Sequence, residues 1–246
     1  MEQHKEQKVV FITGGGAGLG NVMVRQFARE GYHVFFTYRT KREGIDELVK
    51  NSEGSIFAYP ADASDYAKAE AAVEKAIEVF GHIDILINNA ASAKGGPIIN
   101  STPEDFDFTL KNVLYPVYNY TRVVASHMME RRSGKIVNIG SVNGLHGREG
   151  SAAYAAAKAG IVGLTKTAAK EFGAYGITCN VVAPGYIATD GQKHTSELIK
   201  KLVLSECYIK KLSEPEEVSN LVEFLAGDKS DNITGQVFSI DCGQYI

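Results

Sequence analysis

The chain has 246 residues, 44% of them hydrophobic and 22% charged, with a formal net charge of -3. That balance argues against a nucleic-acid or anionic-membrane role, and no apolar run is long enough to cross a bilayer. Three scattered cysteines (Cys179, Cys207, Cys242) form no metal-ligand pattern, so no metal is expected; with the polar opening MEQHKEQK they point to a cytoplasmic protein with reduced thiols.

The first expected strand, KVVFIT (8–13), runs straight into TGGGAGLGNVMVRQFAREG (13–31). Glycines let backbone approach a ligand closely, and the helix they open favours a phosphate at its N-terminus. A strand, glycines and a helix in that order form the setting of a dinucleotide site, here with TGxxxGxG spacing over Thr13, Gly14, Gly18 and Gly20. A tight turn without ligand is the competing reading. HVFFTY (33–38) is the second strand, followed by Arg39, Lys41 and Arg42 with no carboxylate among them. A guanidinium binds a ribose 2′-phosphate bidentately, so NADP(H) is favoured over NAD(H), against the alternative of a solvated loop. SIFAYP (55–60) is the third strand, and Asp62 just beyond it stands where it would accept from an adenine amino group.

The segment 64–81 has helical spacing and leads to a strand, IDILINN (83–89). The longest helical candidate, 103–132, contains Pro116. A proline has no N–H for the carbonyl four residues back, so the Asn112 oxygen should lack a helical partner and the helix should bend. GKIVNIGS (134–141) is the next strand. SAAYAAAKAG (151–160) reads as a helix, on which Tyr154 and Lys158 lie one turn apart on one face. GITCNVVAP (176–184), the helix 214–227 and GQVFSID (235–241) complete the series. Near-continuous apolar strands alternating with helices imply an α/β fold, a parallel sheet with helices on both faces. No linker or repeat divides the chain, so a single domain, 1–246, is expected.

TGGGAGLG, Asp62, NNAA (88–91), Asn112, Ser141, Tyr154-xxx-Lys158 and PGYIAT (184–189) together resemble the classical short-chain dehydrogenase/reductases. The residues 152–190 and 212–243 are most similar to the bacterial 3-oxoacyl-[acyl-carrier-protein] reductase branch. The resemblance covers essentially the whole chain. It implies a single Rossmann-type, doubly wound parallel sheet of about seven strands, and Asn112, Ser141, Tyr154 and Lys158 as the catalytic group. Tyr154 would give a proton to the carbonyl oxygen that receives hydride. Lys158 would lower the phenol's pKa and hold the nicotinamide ribose. Ser141 would hydrogen-bond the substrate carbonyl, and the Asn112 carbonyl would anchor a water that links Lys158 to solvent.

Carried over in the same way, Gly14, Gly18, Leu19 and Gly20 would surround the pyrophosphate. Arg39 would meet the 2′-phosphate, Asp62 and Ala63 the adenine, and Asn89 and Ala90 the adenosine ribose. Pro184, Gly185, Ile187 and Thr189 would lie along the nicotinamide, with 189–212 as a substrate lid. Homodimers or homotetramers through the two long helices are implied. The chain departs from the family pattern at Ala17, where many NADP-dependent members are basic, and at Ala91 and Cys242, where glycine is usual. Of two arginine positions that grip an acyl carrier protein, Arg131 and Arg132 lie near one, while Tyr175 occupies the other.

The function expected is NADP(H)-dependent hydride transfer between nicotinamide and a carbonyl or secondary alcohol, with a 3-oxoacyl thioester or other small molecule as substrate. An NAD(P)-dependent dehydrogenase of a sugar, polyol or other small alcohol is the alternative, separated from it by the lid and by Asn143, Leu145, His146 and Arg148. A non-catalytic nucleotide binder would have lost at least one of the four catalytic residues, and all four are present.

Overall fold

The computed structural model describes residues 7–189 and 197–246. Its seven strands are β1 (Val9–Ile12), β2 (His33–Tyr38), β3 (Ile56–Pro60), β4 (Ile85–Asn88), β5 (Gly134–Ile139), β6 (Ile177–Pro184) and β7 (Val237–Ile240). All pair in parallel, in the order β3-β2-β1-β4-β5-β6-β7. The expected doubly wound sheet is therefore present. The chain builds outward from β1 to β3, then returns to lay β4 against the other side of β1. That reversal opens a crevice at the carboxyl ends of β1 and β4, where ligands of such sheets bind.

Successive strand residues point to opposite faces, and the sequence fills both with apolar side chains. Val10, Ile12, Phe36, Ile85, Ile87 and Val137 face one side. They are covered by α1 (Gly18–Arg29), the short α2 (Ile45–Lys50) and α8 (Pro215–Ala226), through Met23, Val24, Phe27, Ile45, Val218, Val222 and Leu225. Phe11, Phe35, Leu86 and Ile136 face the other side. Over them lie α3 (Tyr66–Phe80), α4 (Pro103–Arg131) and α6 (Ala152–Phe172). Each such side chain fully buried contributes about 1.5–3 kcal/mol, so the two layers dominate the stability of the sheet.

A polar row crosses the second layer. Asn88 and Asn138 face each other across the β4–β5 register, and Asn88 Nδ2 donates to Asn138 Oδ1 at 2.8 Å and to Thr121 Oγ1 at 3.1 Å. Asn138 Nδ2 donates onward to Thr165 Oγ1 at 2.8 Å. These buried amides give their N–H groups to one another and to the two threonines, while Asn88 Oδ1 has no partner among the described residues.

The helix α4 starts at the Thr102 cap, whose hydroxyl accepts from the Asp105 N–H, with Pro103 in the first turn, where its missing N–H costs nothing. It continues through Pro116. The Asn112 carbonyl, deprived of a partner there, accepts from the Ser92 N–H at 3.2 Å, in the loop after β4. The small residues of α6 serve close packing. A Cβ on Gly160 would stand 3.1 Å from Leu114 of α4, and one on Gly144, in α5 (Asn143–His146), 2.7 Å from Lys158. Beyond β6, residues 190–196 of the expected lid lie outside the described residues; the described remainder forms α7 (Glu197–Glu206) and the turn after it. Among the described residues no helix is long and apolar enough to cross a membrane, and no cluster could hold a metal ion.

Candidate active site

At the switch point, the Thr13 hydroxyl joins β1 to β4. It accepts from the N–H groups of Asn89 at 2.9 Å and Ala90 at 3.0 Å. The Asn89 side chain returns the link, donating to the carbonyls of Thr13 at 3.0 Å and Gly14 at 3.2 Å. Packing therefore dictates two of the glycines. A Cβ on Gly20 would lie 2.2 Å from the Gly14 oxygen, and one on Gly14 2.9 Å from the Ala90 Cα. Gly18 opens α1 at a φ of 52°, a left-handed conformation that favours glycine. Ala17 gives α1 no side-chain cap, so the first N–H groups of the helix are left to an anion.

A cleft of about 360 Å³ opens on that helix end. Gly14, Leu19, Gly20, Arg39, Asp62, Ala63, Asn89, Ala90 and Asn112 all line it; Gly18, expected at the pyrophosphate, does not. Arg39 Nη1 reaches across to Asn112 Oδ1 at 3.1 Å, and Arg42 lines the same wall. Lys41 turns outward to pair with Asp46 at 2.7 Å. Burial works to raise the carboxyl of Asp62. The Ser64 N–H and hydroxyl, at 3.0 and 2.8 Å, and the charges of Arg39 and Lys68 bring it below its ordinary value. A helix N-terminus, two guanidinium groups and an ionised acceptor fit the phosphates and base of a dinucleotide.

A second cleft, of about 480 Å³, adjoins the first through Leu19, Asn89 and Ala91, which line both. Ser141, Tyr154, Lys158, Pro184, Gly185, Ile187 and Thr189 meet here. Lys158 Nζ donates to the Ile139 carbonyl at 2.6 Å and sits 5.5 Å from the centre of the Tyr154 ring. Burial pushes its ammonium down to about 8.

Tyr154 corrects the sequence-based expectation. Burial raises the phenol above its ordinary value, with a hydrogen bond to Ser141 opposing the rise. Spacing along a helix reveals a neighbouring ammonium, but not the burial that raises the phenol, which the Ser141 hydrogen bond only partly offsets. Asn112 also stands apart from its three expected companions, since it lines the first cleft and not the second. Its side chain donates to the Phe108 carbonyl at 2.8 Å and accepts from Arg39.

Sequence reasoning assigned no role to Thr13, Glu206 or Gln244. Thr13 was readable only as part of the glycine signature. Glu206 and Gln244 lie 38 residues apart and meet only in the folded chain, where Gln244 Nε2 donates to Glu206 Oε2 at 2.6 Å.

Comparison with known proteins places these features in a family. A family model described as enoyl-(acyl carrier protein) reductase matches residues 14–244. The chain is 38% identical over 244 residues to the 3-oxoacyl-[acyl-carrier-protein] reductase FabG of Thermotoga maritima, covering 98% of this chain and 99% of that one. It is 35% identical over 242 residues to the protein of the same name from Staphylococcus epidermidis, covering 97% and 99%. An acetoacetyl-CoA reductase of an Acinetobacter species is 34% identical over 245 residues, covering 98% and 99%.

Proposed function

We propose that this chain, which belongs to the short-chain dehydrogenase/reductase family and is an oxidoreductase acting between carbonyl and hydroxyl carbons, is an NADP(H)-dependent reductase of 3-oxoacyl thioesters. The observation that carries the reading is the convergence of Tyr154, Ser141 and Lys158 in a cleft continuous with one that bears two guanidinium groups. The substrate class is supported by the relatives' names, which share a 3-oxoacyl thioester.

In this reading Arg39 and Arg42 take the 2′-phosphate, Asp62 and Ala63 meet the adenine, and the N-terminus of α1 faces the pyrophosphate. Pro184, Gly185, Ile187 and Thr189 seat the nicotinamide, which supplies the hydride. Ser141 donates to the substrate carbonyl and fixes its direction. Tyr154 donates a proton to the oxygen as negative charge develops there. A phenol held above its ordinary value stays protonated at neutral pH, the form that reduction needs; oxidation needs the phenolate, which the same burial opposes. Lys158, anchored on the Ile139 carbonyl, places a cation against the Tyr154 ring and stabilises the phenolate left after proton transfer. Asn112 acts at one remove, through its carbonyl at the break made by Pro116 and its side chain on Arg39.

Carrier-protein capture by Arg131 and Arg132 is not part of the proposal. Arg131 is tied to Asp84 at 3.2 Å, and Arg132 to the Ala174 carbonyl at 2.9 Å, over the Tyr175 ring. A homodimer or homotetramer is supported by the exposed Tyr115 and Tyr118 on the outer face of α4.

The test is reduction of acetoacetyl-CoA by NADPH and by NADH, followed through nicotinamide absorbance. Turnover should prefer NADPH, and Tyr154→Phe should lower kcat by about 10²–10⁴. Absence of turnover with either nucleotide, or a Tyr154→Phe variant as fast as the native enzyme, would overturn the proposal.

A further inference from the structure

The wall of the substrate cleft away from β1 carries a polar cluster with no part in the chemistry above. Arg148, in the loop after α5, and Gln244, in the turn after β7, both line the cleft. Glu206, the last residue of α7, joins them from behind. Its Oε2 accepts from Gln244 Nε2 at 2.6 Å and lies 3.5 Å from Arg148 Nη1.

The cluster is held from several sides. His146, two residues before Arg148, stacks on Tyr245 with ring centres 4.6 Å apart and planes at 6°. Asp241 fastens the turn that carries Gln244 and Tyr245, accepting from the Gly243 N–H at 3.0 Å and the Tyr245 N–H at 3.2 Å. A Cβ on Gly185 would come within 3.1 Å of Gln244 Oε1, so this turn also abuts the segment that follows β6. The loop of Arg148, the end of α7 and the turn after β7 are therefore tied to one another.

A guanidinium carries five N–H donors in a fixed plane. Among the described residues, Arg148 has one ion-pair partner, at one nitrogen and at long range. Its remaining donors have no partner among the described residues, and Arg148 lines the cleft. Glu206 balances its charge, so this wall of the cleft offers directed donors with no net charge of its own. That combination suits a neutral carbonyl oxygen better than a carboxylate.

We propose that Arg148, paired with the Glu206 that Gln244 holds, is a specificity-determining residue that binds the second oxygen of a 1,3-dicarbonyl substrate, the thioester carbonyl two carbons from the carbonyl reduced. The inference rests on the carbonyl-reductase reading and deepens it. Tyr154 and Ser141 bind the reacting oxygen, Arg148 binds the other, and together they set which carbonyl faces the nicotinamide. A ketone with a single oxygen has no use for Arg148.

The test compares two substrates in the full-length enzyme with NADPH, acetoacetyl-CoA and a plain methyl ketone of similar length. The readout is the ratio of their kcat/KM values. Arg148→Met should lower that ratio about tenfold to a hundredfold, mainly through KM for the thioester, the loss expected for a charge-assisted hydrogen bond. Arg148→Lys keeps the charge but loses the planar fork, and should lower the ratio by less. If Arg148→Met fails to fold, Arg148→Lys carries the test alone, with a several-fold fall expected. An unchanged ratio, an equal loss on both substrates, or a native preference for 3-oxobutanoate over its thioester would overturn the inference. A native enzyme that reduces neither substrate would instead overturn the carbonyl-reductase reading itself.

Discussion

Replacing Lys158 by methionine should stabilise the nucleotide-free protein at neutral pH while abolishing turnover. Lys158 is only 4% exposed, and burial takes its ammonium from the ordinary 10.5 to about 8. The unfolded chain keeps the ordinary value. Between pH 8 and 10.5 the unfolded state therefore binds a proton that the folded state has shed, and stability rises with pH across that window. Below pH 8 the folded protein carries the whole penalty of a buried cation. Two and a half pH units at about 1.4 kcal/mol each amount to about 3 kcal/mol.

Against this stands the hydrogen bond from Nζ to the Ile139 carbonyl, 2.6 Å long. Its loss in the methionine variant costs about 1–3 kcal/mol. At pH 7 the penalty wins and the variant should be more stable, by about 1 kcal/mol. Near pH 10.5 the penalty has vanished, and the variant should be less stable by about 2 kcal/mol. Urea unfolding of both proteins at several pH values measures the difference. Neither the orphaned carbonyl nor the methionine side chain titrates. A stability difference that stayed flat from pH 7 to 10.5 would refute the argument.

Thr13→Val keeps the shape of the side chain but leaves the N–H groups of Asn89 and Ala90 without their acceptor in a fully buried position. It should cost about 2–4 kcal/mol in denaturant unfolding, and Thr13→Ser less than about 1 kcal/mol; equal losses would show that the hydroxyl is not the link. Arg39→Ala removes a guanidinium from the nucleotide cleft, so thermal shift should show NADPH affinity falling about tenfold or more with NADH affinity nearly unchanged. A parallel loss for both nucleotides would move the 2′-phosphate away from Arg39.

What the chain discloses in advance divides along physical lines. The sheet is legible because β1, β2, β4 and β5 are short apolar runs and alternate residues fill two separate cores. The pairing of Tyr154 with Lys158 is legible because four residues on a helix span one turn. Pro116 predicts a freed oxygen on Asn112, since a missing N–H is a local fact. That Ser92 would satisfy it depends on where the loop after β4 passes, and no local pattern encodes this. The protonation of Tyr154 escapes the sequence for the same reason, as burial is set by residues that are distant in the chain. Arg148, Glu206 and Gln244 come from three separate loops and helix ends. Only Arg148 drew attention in the sequence, and only as one of several polar residues after Ser141.

The row from Asn88 to Thr165 bears on how the sheet comes together. Parallel strands are joined by long crossovers, so no hairpin turn sets their alignment. Apolar strands such as ILIN and GKIVNI offer little to distinguish a correct pairing from one displaced along the strand. A displacement by one residue turns every side chain to the opposite face. It would strand the amides of Asn88 and Asn138 among hydrocarbon, at about 1–3 kcal/mol for each lost partner. A β4–β5 pair formed out of step would lose these hydrogen bonds, which only the native register makes. Two asparagines in the centre of an apolar sheet act as an alignment mark, trading some core hydrophobicity for a fold with one register.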